Sequence, residues 1–118
     1  MTPRIRTDAA QKSNEVKQLL AFLLAANVLA PSGILQSPTA FERKNVTVLG
    51  IVEAVSVRSI PGGFVTQFAL CDSRCLNVIE FKKPNFAIGQ SLTVAGTFHT
   101  IFSSGIIQAR NVIIVSQP

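Results

Sequence analysis

The strongest constraint on the fold is an alternation. From Val46 onward, apolar and polar residues trade places with a period of two, in short runs separated by turn residues. That period sends successive side chains to opposite faces of a β-strand, so each run reads as a strand with one buried face. Val46, Val48, Gly50 and Val52 alternate with Thr47, Leu49 and Ile51, giving a long first strand that runs to about Val57. Gly50 inside it marks a bend or bulge, because a residue without a side chain relaxes the backbone. Ile60-Pro61-Gly62-Gly63 is a turn. Phe64 to Cys71 forms the second strand, with Phe64, Thr66, Phe68 and Leu70 on one face. Asp72-Ser73-Arg74 is a short hairpin loop, and Cys75 to Phe81 is the third strand. Lys82 to Gln90 is a crossover too short for a long helix. Leu92 opens a fourth strand that ends near Thr100, Ser103-Ser104-Gly105 turns the chain, and Ile106 to Val115 is the fifth.

The residues before the alternation have another character. No charged residue lies between Gln18 and Phe41, and Leu19 to Ala30 is apolar except for Asn27. Apolar positions on every side of a helix leave no polar face, so such a helix must be buried in protein, buried in lipid, or removed. Three readings stay open. A secretory signal peptide pairs a positive start with a short apolar stretch and a small-residue cleavage site. Arg4, Arg6, Lys12 and Lys17 supply the first part, and Val28-Leu29-Ala30 or Ala30-Pro31-Ser32 would supply the last. The alternatives are an uncleaved membrane anchor through residues 19–30, and a helix packed on the domain. The expected organisation is residues 1–32 as signal peptide or hydrophobic helix, 33–44 as a Pro- and Gly-broken linker, and 45–118 as the domain.

Charge divides along the same boundary. The formal net charge of +5 suggests a polyanionic partner at first sight. Arg4, Arg6, Lys12, Lys17, Arg43 and Lys44 against Asp8, Glu15 and Glu42 place +3 of it before residue 45. The domain itself carries +2.

Five short strands with a long bent first strand and no long helix suggest an OB-fold, a five-stranded Greek-key barrel. Val48-Leu49-Gly50-Ile51-Val52, Phe68-Ala69-Leu70 and Ile88-Gly89-Gln90-Ser91-Leu92-Thr93-Val94-Ala95-Gly96 carry a resemblance. On them, residues 46–115 resemble an OB-fold domain of the nucleic-acid-binding superfamily, which includes small bacterial single-stranded-DNA-binding and primosomal proteins. Leu70 to Val78 is also similar to small exported bacterial OB-like proteins. The first likeness implies a ligand of single-stranded nucleic acid or another polyanion. The second implies an exported, periplasmic module that binds a protein or small molecule, with no transmembrane segment in its mature form. A cytoplasmic location goes with the nucleic-acid reading.

Cys71 and Cys75 flank the three-residue loop between the second and third strands. Opposed positions of a β-ladder lie close enough for a disulfide, and such bridges persist in oxidising compartments. Zinc fits poorly, because a structural site needs four ligands and only His99 could join this pair. No metal, cofactor or catalytic residue is expected, since the phosphate-loop, dinucleotide and zinc-protease motifs are missing from the sequence.

An OB-fold binds on the face of its second and third strands, between the loops joining strands one to two and four to five. With Phe68, Leu70, Leu76 and Val78 inward, Gln67, Ala69, Asn77, Ile79 and Phe81 point outward. The expected ligand-binding set is Arg58, Gln67, Asn77, Phe81, Lys82, Lys83, Phe102 and Arg110. In it the two Phe serve as stacking platforms and the basic residues as phosphate contacts.

Overall fold

The computed structural model describes residues 27–105 and 107–115. These residues are mostly β. The elements in chain order are β1 (Val28–Leu29), α1 (Pro31–Gln36), a 3-10 turn (Pro38–Phe41), β2 (Asn45–Ile60), β3 (Gly63–Cys71), β4 (Cys75–Glu80), β5 (Ser91–Ser104) and β6 (Ile107–Val115). All six strands belong to one sheet, in the order β1-β2-β3-β4-β6-β5, and β2 also pairs with β5. The pairings from β2 to β6 therefore lead back to their start. β1 joins β2 in parallel, β4 joins β6 in parallel, and the other pairs are antiparallel.

β2 has two partners because it is long and bent. Asn45 to Ile51 pairs with β5, and Ile51 to Ile60 pairs with β3. The register with β3 shifts between Glu53 and Ser56, where Ala54 takes a left-handed φ of 55°. The bulge expected at Gly50 thus lies beyond it, at Ala54. Gly50 answers a different need. A Cβ there would stand 2.9 Å from the Leu70 side chain and 3.0 Å from the Cys71 carbonyl oxygen, so the strands meet where no side chain fits. Gly96 is still tighter, since an added Cβ would fall on the Ile114 carbonyl.

The five expected strands are β2 to β6, and β1 is an addition. Of the apolar stretch expected as a helix, residues 19–26 lie outside the described residues, and Val28–Leu29 is extended. These two residues pair with Thr47 and Val48, using the edge of β2 that β3 leaves open there. The segment read as a linker is also structured. Pro31 stands in the first turn of α1, where its fixed φ suits a helix and its missing N–H costs nothing. Ile34 on this helix is fully buried.

The core is the inward set of the alternation: Val46, Val48 and Val52 of β2, Phe68 and Leu70 of β3, Leu76 and Val78 of β4, Val94 and Phe98 of β5, Ile113 of β6, and Ile34. No helix among the described residues is long and apolar enough to cross a membrane.

Candidate binding groove

β5 continues to Ser104 rather than stopping near Thr100, and this changes the outer face of β3 and β4. Its last residues pair with the start of β6, Ile101 with Arg110, Phe102 with Ala109 and Ser103 with Gln108. A hairpin arm results, and it stands beside the β3–β4 face. The gap between arm and face is an open groove of about 630 Å³ lined by Gln67, Asn77, Ile101, Phe102, Ser103, Gln108, Ala109 and Arg110.

Four of the eight expected ligand-binding residues meet in this groove: Gln67, Asn77, Phe102 and Arg110. Asn77 donates from Nδ2 to the Arg110 carbonyl at 2.8 Å, which ties β4 to the base of the arm. Asn111 follows with a left-handed φ of 49°. The Phe102 ring lies 5.6 Å from the His99 ring, tilted by 56°.

The other four lie elsewhere. Arg58 is exposed on the outer half of β2, opposite Val65. Lys83 places its ammonium 4.4 Å over the Phe64 ring. Lys82 borders a separate cavity beside Glu80. Phe81 packs on a second apolar cluster rather than lining the groove. That cluster, Val65, Ile79, Ile107 and Val112 with Phe81 and Phe102 against it, also explains Ile79. Expected to point outward on the binding face, Ile79 is 0% exposed. Its side chain does leave the barrel on the outer face, but apolar residues of β3 and β6 cover it. Burial of such a side chain contributes about 1.5–3 kcal/mol, so the cluster holds the arm against the sheet.

Ile101, Ser103, Gln108 and Ala109 complete the groove, and the sequence reading missed them. The available signal was the Ser103-Ser104-Gly105 turn flanked by the apolar pairs Ile101-Phe102 and Ile106-Ile107, a pattern that fits a hairpin extending past Thr100.

Cys71 and Cys75 are bonded across the β3–β4 hairpin with Cα atoms 4.1 Å apart. Asp72 in the same loop accepts from the Arg74 and Ser32 amides, each at 3.1 Å, and from the Ser32 hydroxyl. The Ser32 hydroxyl bond, then the Arg74 amide, hold its carboxyl below the usual aspartate range. Glu42 is likewise held low by hydrogen bonds from Thr100, whose amide lies 2.7 Å from its Oε1. Glu80 goes the other way: burial pushes it up, and the charge of Lys82 offsets this only in part.

Among the described residues no group of three or more His, Cys, Asp or Glu side chains is placed to hold a metal. Comparison of the chain with models of known families, with curated proteins and with solved structures gives no match.

Proposed function

We propose that the chain is a non-enzymatic OB-type barrel that binds a short stretch of single-stranded nucleic acid in the arm-bounded groove. The barrel assignment is supported by strand order, since β2-β3-β4-β6-β5 returns to β2. One observation carries the functional reading. Gln67, Asn77, Phe102 and Arg110, expected from sequence as ligand contacts, line one groove on the outer face of the second and third barrel strands. Phe102 offers a ring for base stacking, Arg110 a single phosphate contact, and the Gln67, Asn77 and Gln108 amides read base edges. With Arg110 the one cation among the described residues that line the groove, affinity falls gently with salt, with a slope near −0.7 per phosphate contact for a single strand. Titration with a labelled oligothymidylate at two salt concentrations tests this. Absence of binding at low salt removes the reading.

A second reading rests on the disulfide. Such a bridge favours an oxidising compartment, where an exported module would take a protein or small molecule in the same groove. In that case the leader is cut upstream of Asn27. A cut after Ala30 or Ser32 would remove β1, and the latter would also remove the hydroxyl that Asp72 holds. N-terminal sequencing of the mature protein decides it.

A further inference from the structure

The cavity beside Glu80 is separate from the groove and has a different lining. It encloses about 210 Å³ where β4 ends and β5 begins, and its apolar wall is Phe68, Phe86, Leu92, Val94 and Val115. Glu80 stands beside that wall, with Lys82, Asn85 and Thr93 as the other polar residues of the lining. The inward positions of β4 are Leu76, Val78 and then Glu80, so a carboxyl stands where the pattern calls for hydrocarbon. The residue is 7% exposed, and its Oε1 has no hydrogen-bond partner among the described residues. Thr66 lies directly opposite in the ladder, yet its hydroxyl donates to the Lys82 carbonyl at 2.7 Å. A buried polar group left without a partner is costly, and a fold retains one where something else completes it.

What completes it must satisfy two demands. It must bring a donor to the carboxyl and an apolar body to the surrounding wall. The Phe86 ring closes on Phe68 with centroids 4.6 Å apart, so two aromatic rings also line the space. An ammonium group meets both the carboxylate and the aromatic rings favourably. We propose that this cavity binds a small apolar primary amine, with its ammonium on the Glu80 carboxylate and its hydrocarbon against Phe68 and Phe86. Lys82 is the other charged residue of the lining, and it is solvent-exposed; Asn85 and Thr93 carry no charge. Because burial favours the neutral acid, binding strengthens as pH rises and Glu80 ionises.

Benzylamine is the probe, with benzyl alcohol as its uncharged isostere, and the readout is NMR of the full chain. Benzylamine is expected to shift the signals of Phe68, Phe86, Leu92 and Val115 and to leave those of Gln67, Asn77 and Arg110 in place. Its affinity should rise across a pH series that starts at the ordinary glutamate value of 4.5 and climbs through neutrality, as the raised carboxyl ionises. At the upper end, benzyl alcohol on the native chain and benzylamine on Glu80→Gln should each bind roughly tenfold more weakly, the loss of one charge-assisted hydrogen bond. The proposal is overturned if benzyl alcohol binds equally well, if Glu80→Gln binds benzylamine unchanged, or if the shifts centre on the groove. It is overturned too if millimolar benzylamine moves nothing, which would leave Glu80 to an internal water only. Should Glu80→Gln fail to fold, the native pH series and the alcohol comparison still decide. The groove's oligonucleotide titration is read on other residues, so either result stands without the other.

Discussion

Asp72 and Glu80 are both carboxylates of the β3–β4 ladder and its loop, yet they respond to pH with opposite sign. Hydrogen bonds from Ser32 and Arg74 favour the charged form of Asp72. A lowered folded-state pKa contributes stability above the unfolded value, and that contribution is lost as pH falls through the folded one. Asp72→Ala should therefore lower the thermal midpoint at neutral pH, and the gap should close in acid. A gap that persists below the carboxylate range would show that the bonds to Ser32 and Arg74 are not its source. Burial raises Glu80 instead, so its contribution is full below the unfolded pKa and is lost as pH rises through the folded one. Glu80→Gln removes that loss, and its midpoint should gain on the native chain as pH rises from about 4.5 toward neutrality. A constant difference across that range would contradict the assignment. The alternation through Leu76 and Val78 puts position 80 on the inward face. It could not show that Thr66 would spend its hydroxyl on Lys82, because that depends on how the chain leaves β4.

Alternation made β2 to β6 legible, since one face of each strand is apolar and the intervening turns carry Pro, Gly, Asp or Ser. What stayed hidden depends on contacts between distant residues. β1 forms only because β2 has an unpaired edge at Thr47 and Val48, and α1 because Ile34 finds the barrel core. The role of Gly96 was hidden in the same way: the sequence showed a glycine in a strand, but the Ile114 backbone sets the requirement. Gly96→Ala must push β5 from β6, and overpacking of this kind costs about 1–3 kcal/mol in chemical denaturation. No measurable loss would mean that the two strands can part freely. The hairpin bridge is worth about 2 kcal/mol for so short a loop. Cys71→Ser with Cys75→Ser should lower stability by about that much, while the groove, which lies on the same face of the ladder but is lined by Gln67 and Asn77 rather than by the cysteines, should still bind. Lost binding in a folded double variant would show that the bridge shapes the groove.

Taken together, the described residues form one sheet whose pairings run as a partial ring, and the groove and the Glu80 cavity open at different places on it. The groove between the β3–β4 face and the β5–β6 arm gathers half of the residues expected from sequence. The remaining basic residues, Arg58, Lys82 and Lys83, were grouped with it by composition and by family resemblance. They are kept apart by register, since Arg58 lies on β2 and both lysines follow β4 at the crossover. Composition counts charges, and the strand pairing decides which of them share a surface. The nucleic-acid site proposed for the groove would therefore depend on aromatic and amide contacts more than on charge. Its most direct test is an NMR titration of the full chain with an oligothymidylate, repeated at two salt concentrations and with Phe102→Ala. The expected result is perturbation centred on Gln67, Asn77, Phe102 and Arg110. The salt slope should be near −0.7, and the variant should lose about 1–3 kcal/mol of binding for one stacked base. No perturbation at low salt, or a steep slope with shifts centred on Lys82 and Lys83, would contradict it.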